Sequence, residues 1–284
     1  MVSKEFAIPR SSGGSAGPVA PIALTIAGSD SGGGAGIQAD LKTFHQFGVF
    51  GTSAIVALTA QNTLGVRAVH PVPVAMVAAQ LAALAEDLPP AAVKSGMLAT
   101  AELVHEVAGA LRQYAWRPYV LDPVMVATSG DRLLSPEAEL VLQAELLPLA
   151  SLVTPNLDEA SILAGFEVRD PESMVRAGAR LMELGVAAAL VKGGHLVSEI
   201  MTDVLVTRSG TRRFTHPRLH TTSTHGTGCT LSAAITAGLA LGRDLETAVS
   251  DALDFVHRAI ASAPGLGRGH GPLNHSVRAR ETQN

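Results

Sequence analysis

Short apolar runs alternate with amphipathic helical patterns along most of this 284-residue chain. Continuous apolar runs are typical of parallel strands whose two faces are both covered, and the amphipathic segments between them provide the covering helices. The predicted strands span residues 22–27, 53–58, 92–95, 119–121, 152–154 and 187–191, and the predicted helices begin near 36 and span 75–85, 101–114, 136–146 and 172–184. The alternation predicts an α/β fold, a three-layer αβα sandwich around a mostly parallel sheet.

The pattern changes after residue 191. Residues 203–207 and 212–215 are short alternating stretches joined by Ser209-Gly210, which predicts a hairpin on one edge of the sheet. Two further helices are predicted at 230–241 and 245–263.

The chain shows no internal repeat and no linker, so we expect one domain over residues 21–275. The start, residues 1–20, is rich in serine and glycine, and the end, residues 276–284, is polar. Both are expected to be flexible tails.

Composition excludes several classes of protein. Hydrophobic residues make up 47% of the chain, and the net charge is −4 with scattered basic residues, which argues against nucleic acid or an anionic membrane as the main partner. No apolar run approaches the roughly 18–20 residues of a membrane-spanning helix, and the start lacks the apolar core of a secretory signal. The single cysteine allows no internal disulfide and no cysteine-based zinc site. We therefore expect a globular cytoplasmic protein.

The motif His225-Gly226-Thr227-Gly228-Cys229-Thr230 runs directly into an apolar helical pattern. Free amides at a glycine-rich helix start, together with the helix dipole, favour an anion such as a phosphate. The same field is expected to lower the pKa of the Cys229 thiol and to make its thiolate available as a base. The alternative is that Cys229 is a small buried apolar residue.

A glycine-rich loop from Gly28 to Gly36 follows the first predicted strand. It matches neither a P-loop nor a dinucleotide fingerprint, so it is predicted only to let the backbone approach a ligand closely. In the next helix, Asp40 shares a face with Ile37 and Phe44 and therefore faces the core or a cleft. A buried carboxylate there needs a ligand, a charged partner or the amides of the glycine loop.

Polar side chains also follow other predicted strands, where the carboxyl ends of a parallel sheet collect ligands. Gln61 could meet the edge of a heterocycle and Met97 a flat ring, although such residues are often only turn or core residues. Asp122 stands where a metal-bound phosphate could lie, and Lys192 beside two glycines suits a polyphosphate.

Asn156 and Glu159 are three residues apart at a predicted helix start. They could hold waters of a Mg²⁺ ion, which keeps much of its hydration. The alternative is an ordinary capping box, with Asn at the N-cap and Glu at the third helical position.

Seven stretches in order along residues 22 to 275 are similar to one family. The chain resembles the bacterial hydroxymethylpyrimidine/phosphomethylpyrimidine kinases of thiamine biosynthesis, which have a ribokinase-like fold. The stretches are Ala27 to Asp30, Gly33 to Lys42, Lys94 to Leu98, Val124 to Ala127, Thr154 to Ala160, Val191 to His195 and His225 to Thr230.

The resemblance implies roles for these residues. It implies a catalytic base at Cys229, where many related kinases carry Asp, and a supporting catalytic role for Asp40 near the substrate. The remaining roles fall into four groups: substrate contacts by Gln61, Gly28, Met97 and Val124; an anion hole formed by Gly226, Thr227 and Gly228; nucleotide binding by Asn156, Lys192 and Asp122; and Mg²⁺ binding by Glu159 and Asp122.

The implied reaction is transfer of phosphate from ATP to 4-amino-5-hydroxymethyl-2-methylpyrimidine, giving first the monophosphate and then the diphosphate, in a homodimeric enzyme. A vitamin B6 kinase for pyridoxal or pyridoxine is the first alternative, although relatives of that kind use a second cysteine in a lid and this chain has Val126 to Gly130 there. The others are a non-catalytic pyrimidine- or nucleotide-binding regulator and a cysteine hydrolase. The hydrolase is disfavoured because the glycine turn separates His225 from Cys229.

Overall fold

The computed structural model describes residues 20–125, 134–194 and 199–280, and the nine strands within these ranges form one sheet. The sheet order is β3-β2-β1-β4-β5-β6-β7-β8-β9, parallel from β2 to β7 and antiparallel at both edges. The strands are β1 Ile22–Asp30, β2 Phe50–Asn62, β3 Gly65–Pro71, β4 Ala92–Ser95, β5 Tyr119–Leu121, β6 Leu152–Val153, β7 Ala189–Val191, β8 Ile200–Thr207 and β9 Gly210–Pro217.

Helices cover both faces of the sheet, so the predicted three-layer αβα sandwich is confirmed. They are α1 Gly36–Gln46, α2 Val74–Asp87, α3 Ala101–Gln113, α4 Pro136–Val141, α5 Leu157–Ala164, α6 Pro171–Glu183, α7 Thr227–Ala240 and α8 Leu245–Ala261. The predicted helix at 136–146 continues after α4 as a π-helical turn, Leu142–Leu146.

Successive residues of β1 enter different cores, as expected for a strand buried on both faces. Leu24 packs with α2, α3 and α4, whereas Ala23 packs with α1, α7 and α8. A smaller third core joins α5 and α6 to β7 and β8. Because β1 lies inside the sheet, its carboxyl end lies away from both edge strands.

The sheet is larger than the sequence predicts on one side. The strand predicted at 53–58 runs from Phe50 to Asn62 and turns back into β3, which is absent from the sequence prediction. Residues 67–71 of β3 are exposed on both faces, so the strand carries no apolar signal. The hairpin predicted after residue 191 is present as β8 and β9.

The predicted tails lie mostly outside the described residues, which leave out 1–19 and 281–284. Within the predicted C-terminal tail, Val277 and Ala279 pack against the core formed by α1, α7 and α8, and Arg258 donates to the carbonyl of Arg278 at 2.9 Å. The domain therefore continues to about residue 280. No helix in the described ranges combines the length and hydropathy that a bilayer span requires.

Two helical glycines distinguish packing from backbone preference. A Cβ at Gly178 in α6 would lie 2.5 Å from Val206 Cγ2, whereas a Cβ at Gly109 in α3 would meet open space. Gly178→Ala and Gly109→Ala gain the same helix propensity, so a difference in their stability reports the steric clash at Gly178. We expect Gly178→Ala to have a free energy of unfolding about 1–3 kcal/mol below that of Gly109→Ala, measured by urea denaturation. Equal stabilities would contradict the close packing of α6 on β8.

Candidate active site

A cavity of about 530 Å³ opens at the carboxyl ends of the parallel strands. This is the edge at which ligands bind in open α/β sheets. Twelve of the thirteen site residues predicted from the sequence line it: Gly28, Gln61, Met97, Asp122, Val124, Asn156, Glu159, Lys192, Gly226, Thr227, Gly228 and Cys229. Asp40 is not among the lining residues.

The start of α7 forms one wall of the cavity and has the geometry of an anion site. Gly226 is the N-cap with φ 84°, and a Cβ there would overlap the carbonyl oxygen of Gly34, so this position requires glycine. No side chain caps the helix, and the amides of its first turn lack acceptors within the helix. The amide of Thr227 donates to the carbonyl of Thr224, before the helix, at 3.3 Å. A Cβ at Gly228 would lie 3.3 Å from Lys192 Nζ, so a cation stands beside these amides.

Asp122 connects three elements beneath this anion site. Its Oδ1 lies 3.3 Å from Lys192 Nζ and accepts from Thr154 Oγ1 at 3.2 Å, and its Oδ2 accepts from Ser232 Oγ of α7 at 3.2 Å. Asp203 of β8 accepts from the amide of Gly193 at 2.8 Å and so supports the turn that carries Lys192. Burial raises the pKa of Asp203 to about 6.

Asn156 and Glu159 form the capping box that was the alternative interpretation, and both also line the cavity. Glu159 accepts from the amide of Asn156 at 2.9 Å, and Asn156 Oδ1 accepts from the amide of Glu159 at 2.9 Å. Burial raises the pKa of Glu159, and Asp122 adds to this effect while Lys192 opposes it. The capping and ligand-binding interpretations are therefore compatible.

Cys229 lies half-buried in the first turn of α7. The prediction that the helix start lowers its thiol pKa is wrong: burial raises the pKa of Cys229 to about 12, and Asp40 and Asp122 act in the same direction. Lys94 and the amide of Gly36 oppose this rise without reversing it. Desolvation and two carboxylates outweigh the helix start.

Asp40 lies fully buried beside Cys229 and is paired with Lys94. Its Oδ1 lies 2.8 Å from Lys94 Nζ and its Oδ2 accepts from Thr25 Oγ1 at 2.6 Å. Of the three partners expected for a buried Asp40, a ligand, a charged residue or the loop amides, the structure shows the charged residue. Asp40 does not line the cavity. Lys94 has no predicted role, although a lysine within the apolar strand β4 is a sequence signal for a buried charged pair.

The glycine loop is held by Asp30 instead. The amides of Gly32, Gly34 and Ala35 donate to its carboxylate at 2.7, 3.0 and 2.9 Å. His225, from the turn before α7, lies 2.9 Å from the same carboxylate through Nε2. No role was predicted for Asp30. Its position at the end of β1, directly before the glycines, is the sequence signal that its carboxylate could bind the loop amides.

Met97, Gly28, Val124 and Gln61 line another part of the cavity. A Cβ at Gly28 would lie 2.7 Å from Met97 Cε, so the missing side chain gives Met97 its room. Their side chains offer apolar surface with one carboxamide. This combination suits a small flat heterocycle with polar edges.

The cavity extends beyond the anion site to residues that the sequence analysis missed. Met201, Leu219, His257 and Ile260 line this end, which is contributed by β8, the segment after β9, and α8. The other site residues were predicted because they follow parallel strands. These four residues do not follow a parallel strand, so the sequence did not indicate them. The residues compared with a lid, Val126 to Gly130, and His195 lie outside the described residues.

The family model and the sequence relatives of this chain are phosphomethylpyrimidine kinases, and its structural neighbours include pyridoxal kinases. The family model for phosphomethylpyrimidine kinase matches residues 30–274. The hydroxymethylpyrimidine/phosphomethylpyrimidine kinase of Haemophilus influenzae is 49% identical over 90% of this chain and 97% of its own length. The thiamine biosynthesis bifunctional protein ThiED of Geobacter sulfurreducens is 49% identical over 92% of this chain, which spans only 53% of that relative. A crystal structure of an ADP complex of Bacillus subtilis pyridoxal kinase superimposes with a TM-score of 0.85 at 37% identity, covering 90% of this chain and 98% of the other.

The raised thiol pKa has a direct chemical consequence. Only the thiolate reacts with iodoacetamide, so with a pKa of about 12 the native Cys229 should react slowly at pH 7 and ever faster through pH 10. The unfolded chain in guanidinium carries the same single thiol at its ordinary pKa and serves as the matched control. Intact-protein mass spectrometry follows both rates. A native rate that levels off below pH 8 would contradict the raised pKa.

Proposed function

The chain belongs to the phosphomethylpyrimidine kinase family, and from this premise we propose that it transfers phosphate from ATP to 4-amino-5-hydroxymethyl-2-methylpyrimidine. The product is the monophosphate, which accepts a second phosphate to give the diphosphate, in thiamine biosynthesis. The relatives named as hydroxymethylpyrimidine/phosphomethylpyrimidine kinases support the substrate, and the relative named as a thiamine biosynthesis bifunctional protein supports the pathway.

One observation carries the proposal: a single cavity contains a pocket for a flat polar ring and an anion site at a helix start. Phosphoryl transfer requires the acceptor and the phosphate to be held in line, with donors aimed at the transferring group. In our proposal Gln61, Gly28, Met97 and Val124 hold the pyrimidine. The anion hole from Gly226 through Thr227 to Gly228 receives the transferring phosphoryl group, and the Thr227 amide must share its hydrogen with the carbonyl of Thr224.

The nucleotide occupies the other end of the cavity in this proposal. Lys192 neutralises phosphate charge and Asn156 helps to position the phosphates. Met201, Leu219 and Ile260 provide an apolar wall for the base. The ADP complex of the similar pyridoxal kinase supports a nucleotide in this fold.

Asp122 and Glu159 fit a magnesium ion. Both carboxylates are buried and line the cavity, and the described ranges contain no group of three or more His, Cys, Asp or Glu arranged for a metal. Two carboxylates and water suit Mg²⁺, which keeps most of its hydration. When bound, the ion would neutralise charge on the nucleotide phosphates.

Cys229 is the proposed base for the first phosphorylation. The neutral alcohol must lose its proton as the new P–O bond forms, and Cys229 is placed beside the anion site that receives the phosphoryl group. Because its thiol pKa is raised, the thiolate is scarce but strongly basic. The second acceptor is a phosphate monoester, already largely ionised near neutral pH, and needs no base. Asp40 acts in this proposal through its charge beneath Cys229 and not through contact with substrate.

Vitamin B6 phosphorylation remains the second candidate because the similar solved structure is a pyridoxal kinase. The chain contains only one cysteine, which argues against the two-cysteine arrangement implied for such enzymes. Cytoplasmic location and a homodimer stay proposals. The single cysteine supports the first, and the family resemblance supports the second.

A substrate panel tests the function. The pyrimidine alcohol, its monophosphate, pyridoxal and ribose are each incubated with Mg-ATP, and ADP formation is followed. We expect turnover of both pyrimidines with kcat/KM well above that for pyridoxal and none for ribose. A preference for pyridoxal would favour the B6 kinase, and no turnover of any acceptor would favour the regulator.

The carboxylate of Glu159 should matter for catalysis and little for stability. Since burial already raises its pKa, the neutral isostere in Glu159→Gln should change the free energy of unfolding by less than about 1 kcal/mol. Turnover should fall on the order of 10²-fold, with partial recovery at high Mg²⁺. Asp170→Asn alters the capping box of α6, whose residues do not line the cavity, and should leave the Mg²⁺ titration unchanged. Unaltered kinetics in Glu159→Gln would leave the capping box as its only role.

A further inference from the structure

Gln61, His225 and Asp30 form a hydrogen-bonded group on the cavity wall. His225 Nε2 lies 2.9 Å from Asp30 Oδ2 and 3.2 Å from Gln61 Nε2. Gln61 Oε1 lies 3.2 Å from Thr59 Oγ1, which is also 2.9 Å from the carbonyl oxygen of Ser29. Both ends of the Gln61 carboxamide therefore have a protein neighbour.

The contact with Asp30 fixes where the His225 proton lies. Burial raises the pKa of Asp30, but bonds from His225 and from the amides of Gly32 and Ala35 outweigh it, so the net pKa is lowered and the group is an ionised acceptor. A lone pair on His225 Nε2 would face a carboxylate oxygen at 2.9 Å, so this nitrogen carries the hydrogen. The single hydrogen on Nε2 points to Asp30, the nearer neighbour. A carboxamide oxygen beside Nε2 can share this hydrogen, whereas a carboxamide N–H there would face another donor, so the oxygen fits this position better.

The contact with Thr59 leads to the same orientation. Its hydroxyl has one hydrogen for two neighbours, and the shorter contact is to the carbonyl of Ser29. The hydroxyl oxygen can then accept from Gln61 Nε2. A half-turn about the last side-chain bond exchanges the two carboxamide atoms without moving the group. Exchanging the two atoms, so that Oε1 faces His225 and Nε2 faces Thr59, removes the donor-to-donor contact at His225 and gives the Thr59 hydroxyl oxygen a donor.

We propose that the pairing of Asp30 with His225 locks the Gln61 carboxamide in this orientation and makes the pocket select a 4-aminopyrimidine over a 4-oxopyrimidine. The inference rests on the proposed function, since it concerns the same acceptor pocket. The locked amide keeps one lone pair on oxygen and one N–H for a ligand.

These two free positions distinguish the two ring edges. A 4-aminopyrimidine presents an amino donor beside a ring-nitrogen acceptor, which pairs with the oxygen and the N–H of Gln61. A 4-oxopyrimidine presents a carbonyl acceptor beside a ring N–H donor. With its hydroxymethyl group held towards the anion site, as phosphoryl transfer requires, its ring cannot turn over, so oxygen would face oxygen and N–H would face N–H. Leaving buried polar groups unpaired in this way is the strong form of rejection by a binding site.

The ratio of kcat/KM for 4-amino-5-hydroxymethyl-2-methylpyrimidine to that for its 4-oxo analogue measures the lock. We expect a ratio of about 100 or more for the natural chain. In His225→Leu the carboxamide is free to turn, and the ratio should fall at least about tenfold even if both rates drop. His270→Leu makes the same change at the cavity rim, where the main-chain amide of His270 bonds to Thr63, and should keep the ratio.

General damage to the pocket lowers both rates and leaves the ratio unchanged. An unchanged ratio in His225→Leu would therefore contradict the claim that His225 fixes the orientation of the Gln61 carboxamide, and His225 would have only a structural role. Equal use of both pyrimidines by the natural chain would overturn the inference while the kinase function stands. Turnover of neither pyrimidine would instead refute the proposed function, and the inference with it.

Discussion

The carboxylate of Asp30 holds the glycine-rich loop after β1 against the turn before α7. It accepts three loop amides and contacts His225, which stands one residue before the left-handed Gly226. The close approach of Gly34 to Gly226 leaves no room for a Cβ. The anion site begins at this turn, and the Gln61 carboxamide contacts the same histidine. Asp30 therefore positions both the phosphate end and the ring end of the cavity.

Charge beneath the cavity is unevenly balanced. Asp40, Asp122 and Glu159 place three carboxylates there against the ammonium groups of Lys94 and Lys192. Burial is the main reason that the pKa of Cys229 is raised despite its place at a helix start; Lys94 opposes the rise, and Asp40 and Asp122 add to it. The excess of carboxylates explains why a polyphosphate would bind best together with a divalent cation. The buried ion pair of Asp40 and Lys94 is part of this group of charges.

Local pattern and long-range contact differ in how far sequence reveals them. The apolar periodicity predicted the parallel strands, both edge hairpin strands after β7 and most helices, because burial on two faces leaves a signal in adjacent residues. Strand β3 left none, since it is exposed on both faces. The rim residues could be found because parallel strands end at one edge. The partner of Asp40, by contrast, is 54 positions away on β4, and no spacing rule connects them.

The pKa of Cys229 shows the same limit. A helix start alone predicts a lowered value, and only the three-dimensional arrangement shows that desolvation, Asp40 and Asp122 reverse the sign. The hydrogen-bond orientation of Gln61 is likewise set by residues from β1 and from the turn before α7, which lie far from it in sequence.

The central claim, that Cys229 removes the proton of the pyrimidine alcohol, is tested most directly by measuring the two phosphorylations separately in Cys229→Ala. We expect the first to slow by about 10²–10⁴-fold, the usual contribution of a positioned base, and the second to remain near its original rate. Gly228→Val, which crowds the anion site, should impair both steps and serves as the comparison. An equal loss in the two steps of Cys229→Ala would contradict the claim and leave Cys229 as a residue that only shapes the anion site.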